Sequence, residues 1–243
     1  PVLHGPQRVD EVAGLLRDLR AMGAPRIHCV GADFTRLDAV VSGAREVQEL
    51  TPDGIDLLIN NAGVPGAADR IVTPDGYERT LQVNALAPAL FTRLLVPALA
   101  MGARIVNVGS SAHRVERFHF DDIDLRGDYS PVAAYARAKL AMVTWSSLLA
   151  EEEAQTTTTV VALCPGLNDT PLSAAMMGRI GGSPSHGAAR VLFAAAATVP
   201  SGSYLEGDRI VAASPEVGRR RNRELLTELF WSRLRPHAAR ARS

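Results

Sequence analysis

Lysine is almost missing from this sequence: of 26 basic residues, Lys139 is the only lysine and the rest are arginine. Arginine therefore serves wherever a generic positive charge is wanted, and the exception calls for a chemical reason. Cysteine is equally scarce. Cys29 and Cys164 each sit in an apolar, strand-like run, which reads as two buried reduced thiols and excludes a disulfide framework. Net charge is absent too, since 26 acidic residues balance 26 basic ones, so no global field recruits nucleic acid or an anionic membrane. Long hydrophobic runs are also lacking. The stretch from Ala85 to Ala100 is broken by Pro88, Arg93 and Pro97, short of the roughly 20 apolar residues a membrane span needs. With 47% apolar residues in 243, the expectation is one cytoplasmic globular domain over residues 1–243, its basic tail from about residue 233 frayed.

What is present alternates in period. Val12, Leu15, Leu16, Leu19 and Met22 recur at helical spacing and stop at Gly23, and a second helical pattern runs from Leu37 to Val47. Arg26 to Ala32, Ile55 to Ile59, Arg104 to Val108 and Val160 to Cys164 are continuous aliphatic runs, as strands covered on both faces require. Helix starts are signalled at Thr73-Pro74, Ser130-Pro131, Thr170-Pro171 and Ser214-Pro215, where a hydroxyl caps an orphan amide and proline sits where no donor is needed. Gly178 to Gly187 reads as a mobile loop. Strands alternating with helices imply an α/β, doubly wound (Rossmann-like) parallel sheet in three layers, with ligands at the carboxyl ends of its strands.

The single lysine stands four residues after Tyr135, one helical turn away on the same face. With four tyrosines, a lysine dropped at random would land at that spacing in about 4 of 243 positions, so chance is the weaker account. A phenol with a reference pKa near 10 needs a neighbouring cation before its phenolate becomes accessible. The competing reading is a surface Tyr–Lys pair on a solvated helix. Ser111, ending the run Arg104 to Ser111, lies where a doubly wound sheet places ligand-facing groups and could stabilise charge growing on a carbonyl; Ser110 reads equally as a turn or cap. Leu57 to Gly63 joins a buried strand to Asn60, Asn61, Ala62 and Gly63, small residues that admit a flat ligand and amides that can tie strand ends together. Asn84 is polar within an apolar stretch and must find partners, a bound water among them. Leu172, Met176 and Met177 are apolar lid candidates, although methionine there also reads as core packing.

Together these motifs resemble the short-chain dehydrogenase/reductase family from about residue 8 onward. Asn60-Asn61-Ala62-Gly63, Asn84, Ser110-Ser111, Tyr135-x-x-x-Lys139 and Pro165-Gly166-x-x-x-Thr170 stand in that family's order. Thr73 to Glu78, Ser111-Ala112-His113 and Trp231-Ser232 are similar to its retinol-dehydrogenase-like branch. The resemblance implies that Tyr135 is the general acid/base, that Lys139 tunes it and binds the nicotinamide ribose, that Ser111 orients the carbonyl or alcohol, and that Asn84 holds a relay water. It places Asp33 and Phe34 near the adenine, Asn60, Ala62 and Gly63 behind the cofactor, and Pro165, Gly166 and Thr170 beside the nicotinamide. The implied cofactor is NADP or NAD, with no metal; the implied substrate is a small-molecule alcohol, aldehyde or ketone, and it is the apolar lid candidates Leu172, Met176 and Met177 that motivate a lipophilic preference. A homodimer or homotetramer is implied as well.

The family's first strand and glycine-rich phosphate turn have no counterpart in Pro1 to Gln7, and Val2-Leu3-His4 resembles the end of its second strand. The expectation is a strand position left open between the strands ending near His4 and Ile59, and a native polypeptide longer by about one βα unit, roughly 30 residues. A non-catalytic dinucleotide-fold protein is the alternative that this departure suggests.

Overall fold

Strands and helices alternate in the computed structural model, which describes residues 2–5, 12–24 and 26–240, the first four by backbone alone. Part of the Pro1 to Gln7 stretch and tail residues 241–243 lie outside the described residues. The order is β1 (Val2–Gly5), α1 (Ala13–Ala21), β2 (His28–Gly31), α2 (Leu37–Leu50), β3 (Ile55–Asn60) and α3 (Arg79–Leu81), which runs through a π-helical turn (Gln82–Leu86) into α4 (Ala87–Leu95). There follow β4 (Leu99–Val108), α5 (Pro131–Glu152), β5 (Thr159–Cys164), α6 (Pro171–Met177), α7 (Pro184–Ala196), β6 (Tyr204–Glu206), β7 (Arg209–Ile210), α8 (Pro215–Gly218) and α9 (Arg220–Arg240).

Strands β3, β4, β5 and β6 pair in parallel in that order and β7 adds antiparallel to β6, while β1 and β2 form a separate parallel pair. The doubly wound α/β reading holds, and among the described residues the outer edge of β3 has no strand partner. Consistent with that open edge, Leu57 is 42% exposed within a run whose composition suits a fully covered strand.

Alternation along β4 and β5 sorts the core. Val106, Val108, Val161 and Leu163 pack with Ala194 of α7 on one face. Ile105 and Val160 face the other, with residues of α2, α4, α5 and α9. Helix α5 is buried from Ala134 to Ser146, so it is enclosed nearly all round, as a helix held between sheet and neighbouring helices must be. Its start is set by Ser130, whose hydroxyl accepts from Ala133 N at 3.1 Å, with Pro131 at the first helical position.

Several local expectations need correction. Thr73-Pro74 opens a turn closed by Gly76 at φ 88°, and the helix begins later, where Glu78 accepts from the Thr80 and Leu81 amides. The segment Gly178 to Gly187 is loop only as far as Ser183, whose hydroxyl caps α7 ahead of Pro184. Cys29 is half-buried and only Cys164 is buried; both thiols are free. The segment Arg79–Ala98 is long and apolar enough to cross a membrane by length and composition, and 72% of its apolar window is buried inside the molecule.

The tail expected to fray continues α9 as far as Arg240, with Leu234 buried. Its anchor is Arg233, whose Nη2 lies 2.5 Å from Asp124 Oδ2 and whose guanidinium stacks 4.4 Å above the Tyr77 ring. Both charges are largely buried, at 12% and 6% side-chain exposure. Removing one partner strands the other charge, so Arg233→Ala is expected to lower unfolding free energy by about 3–5 kcal/mol, read from urea midpoints. A loss below about 1 kcal/mol, the range of solvated pairs, would contradict this anchoring.

Candidate active site

A cavity of about 2130 Å³ follows the edge of β3 left unpaired among the described residues, from loop 51–54 onward, and reaches the carboxyl ends of β3, β4 and β5. It runs from His28 and Asp33 past Asn60 to Val64, reaches Tyr135 and Lys139, and ends among Leu167, Leu172, Met176, Met177 and Leu192. Tyr135 and Lys139 face this cavity from adjacent turns of α5, so they are not a solvated surface pair. Tyr135 is 9% exposed and Lys139 4%, and the ammonium lies 5.8 Å from the phenol ring centroid. Lys139 Nζ donates to the Val108 carbonyl at 2.7 Å. Burial pulls the lysine pKa down to about 8, and burial likewise raises the Tyr135 phenol, with a hydrogen bond to the Ser110 side chain acting in the opposite direction.

Of the two serines it is Ser110 whose side chain bears on the Tyr135 phenol. Ser111 is exposed and begins the 3₁₀ turn Ser111–Arg114 at the cavity rim, while Ser110, extended at φ −163°, caps that turn by accepting from Ala112 N. The expected role of Ser111 therefore passes to its neighbour: β4 ends at Val108 as its aliphatic run implied, and the 3₁₀ turn that starts at Ser111 carries that side chain to the exposed rim.

Asn84 finds its partners in the backbone of Val64. Its Oδ1 accepts from Val64 N at 2.8 Å and its Nδ2 donates to Val64 O at 2.9 Å. Both ends of the fully buried amide clamp the loop after β3. The π-helical turn around it places a bulge beside the cavity, a geometry common at functional sites. Gly63 lies against this clamp: a Cβ there would come 3.2 Å from Asn84 Oδ1 and 3.7 Å from Lys139 Nζ.

Asn60 is drawn inward. Its Nδ2 donates to Thr92 Oγ1 and to Asn107 Oδ1, both at 2.8 Å, and Asn107 Nδ2 donates to Ser146 Oγ at 2.9 Å. Since Asn60 and Asn107 are register partners in β3 and β4, this buried chain ties two strand ends to α4 and α5. Phe34 is buried against Phe91, ring centroids 5.9 Å apart, and both residues line the cavity. Asp33 accepts from Thr35 N and Oγ1 at 2.9 and 2.7 Å and remains at the cavity edge beyond β2. After β5, Gly166 takes φ 79°, Pro165 O accepts from Arg190 Nη1 and Asn168 Nδ2 at 2.7 and 3.0 Å, and Thr170 caps α6. Sequence reasoning does not reach Asn107, Asn168 or Arg190; Asn107 alone carries a signal, as an amide inside an otherwise aliphatic strand.

A family model described as short chain dehydrogenase matches residues 3–178. The chain belongs to the short-chain dehydrogenase family. This short-chain dehydrogenase is 35% identical over 251 residues to polyprenol dehydrogenase of Mus musculus, covering 94% of the chain and 72% of that relative. It is 34% identical over 178 residues to retinol dehydrogenase 14 of Homo sapiens, covering 68% of the chain and 52% of that protein, about half its length. Among solved structures, a short chain dehydrogenase from Burkholderia cenocepacia in complex with NADP aligns with TM-score 0.66 at 25% identity, covering 85% of each chain. The retinol-dehydrogenase-like branch is thus its place in the family, and its activity is NAD(P)-dependent oxidoreduction of an alcohol and carbonyl pair. The non-catalytic alternative is not favoured.

The residues present fit the nicotinamide and ribose half of such a cofactor. The slot beside Gly63 is one that a larger side chain would narrow, and Lys139 retains donors beyond its one bond to Val108 O.

Proposed function

We propose that this short-chain dehydrogenase interconverts a lipophilic alcohol and its aldehyde or ketone, with Tyr135 moving the proton. The observation that carries this reading is the buried Tyr135–Lys139 pair lining the same cavity as exposed apolar side chains: Leu167, Met177 and Leu192 are 46%, 54% and 65% exposed. The names of the polyprenol and retinol dehydrogenases support an isoprenoid-like substrate. When bound, NADP or NAD supplies or accepts the hydride. The protein's own part is positional and electrostatic. Ser110 and Tyr135 donate to the substrate oxygen, where negative charge develops during reduction, and Tyr135 releases its proton there. Lys139 stabilises the phenolate left behind and reaches toward the ribose. Asn84, through Val64, keeps the floor of the slot flat.

A series of straight-chain and isoprenoid aldehydes, assayed with NADPH and with NADH, tests this reading. Each methylene buried on the apolar rim contributes about 0.8 kcal/mol, so kcat/KM is expected to climb by up to about 4-fold per carbon until the rim is covered. A flat profile from short to long chains would remove the lipophilic assignment.

A further inference from the structure

His113 is wholly buried in the turn that follows Ser110. Its Nε2 accepts from the Ser214 amide at 2.9 Å, so that nitrogen carries no proton. Its Nδ1 lies 2.6 Å from the Ser110 carbonyl oxygen, an atom that only accepts. Together the two contacts fix one tautomer, neutral with the proton on Nδ1. The same carbonyl takes the His113 backbone amide at 3.1 Å, and the Tyr204 ring stands edge-on to the imidazole, 4.8 Å between centroids. Every polar atom of the ring is therefore used, one on the peptide of the serine beside Tyr135 and one on the segment that opens α8, 101 residues away.

We infer that His113 is a positioning residue for Ser110: as a neutral bridge between the Ser110 carbonyl and the Ser214 amide, it sets the direction in which the serine hydroxyl faces the substrate oxygen. This rests on the reading of Ser110 and Tyr135 as the oxygen-binding pair. The mechanical reason is local. Ser110 lies between the end of β4 and a single 3₁₀ turn, and such a short turn does little on its own to fix a peptide plane. A rigid, doubly anchored imidazole supplies the missing constraint, in the way that supporting hydrogen bonds orient reacting groups. A second proton on the ring would set Nε2–H against the Ser214 N–H. The surroundings oppose that proton. Burial lowers the ring's pKa, Arg114 on the same turn adds to this, and the acceptor Ser110 O and the carboxylate Glu206 on β6 act the other way without prevailing.

Two measurements on the full chain test the inference. In ¹⁵N NMR, His113 is expected to show the neutral Nδ1–H tautomer and to titrate below the ordinary value of about 6.5; an Nε2–H tautomer, or titration at or above that value, would overturn it. In kinetics, His113→Leu is expected to lower kcat for aldehyde reduction by about 10-fold or more, as small displacements of reacting groups do, while KM for NADPH stays within about 2-fold. His113→Asn, whose amide can still donate to Ser110 O, is expected to recover most of the loss. A His113→Leu enzyme with unchanged kcat, or equal losses in both variants, would overturn the positioning role. If His113→Leu fails to fold, the NMR result on the unaltered protein decides. Wild-type protein inactive on every aldehyde would instead defeat the oxidoreductase reading, and the tautomer would remain a separate observation.

Discussion

Tyr135→Phe is expected to reduce kcat for aldehyde reduction by about 10³-fold, the middle of the range for losing a positioned general acid, while the affinity for NADPH changes by no more than about 3-fold. The substitution deletes one oxygen from a ring already packed into the floor of the cavity, so neither the fold nor the cofactor slot has reason to change. Burial raises the phenol's pKa, which keeps it protonated at neutral pH and suits it to donate during reduction. Alcohol oxidation needs the phenolate, so its rate is expected to rise with pH across the range where the reduction rate first holds level and then falls. Steady-state kinetics in both directions, with a cofactor titration of each protein, separates these statements. A Tyr135→Phe enzyme within about 10-fold of wild type would remove the phenol from the mechanism.

Lys139→Met is expected to abolish most activity and yet stabilise the protein at pH 7. An unfolded lysine titrates near 10.5 and the folded Lys139 at about 8, a gap equivalent to about 3 kcal/mol at 1.36 kcal/mol per pH unit. Because the folded value is the lower one, the unfolded chain holds more protons between the two. The wild type therefore carries this penalty in full below pH 8 and loses it as pH rises toward 10.5. Losing the bond to Val108 O offsets about 1 kcal/mol, leaving a net gain of about 2 kcal/mol for Lys139→Met. Urea midpoints should favour the variant at pH 7 and converge by about pH 10. A variant less stable than wild type at pH 7 would show that the ammonium is kept for packing rather than for chemistry.

The parts of this site carried by regular elements are legible in the sequence. Tyr135 and Lys139 share a helix whose N-cap, proline and apolar run are all written locally, and their spacing alone places them together. The strand ends that carry Asn60 and Asn107 are readable as positions but not as roles. The pattern points Asn60 toward the cofactor, whereas its amide is committed to Thr92 and Asn107, partners 32 and 47 residues away that no local pattern reveals. The serine doublet misleads for a related reason. Which of Ser110 and Ser111 turns inward is decided after β4 stops, by the short Ser111–Arg114 turn that Ser110 caps, and no periodicity in the sequence marks that turn. Asn84 stands out correctly as a buried amide in need of partners, but the partner is the Val64 backbone. The tail misleads most: Arg233 to Arg240 looks like a solvated basic stretch, and long-range partners, Asp124 for Arg233 and Asp38 for His237 and Arg240, explain why it stays helical.

Following the hydrogen itself puts the proposed chemistry to proof. Wild-type protein is incubated with a long-chain aldehyde and NADPH carrying deuterium at the transferable C4 position, in parallel with NADH labelled in the same way, and the alcohol product is analysed by mass spectrometry. One deuterium on the carbinol carbon is expected with wild type, and none above background with Tyr135→Phe over the same interval. Absence of label with both cofactors and every aldehyde tried, or equal label from the Tyr135→Phe protein, would contradict a hydride transfer completed by the Tyr135 proton.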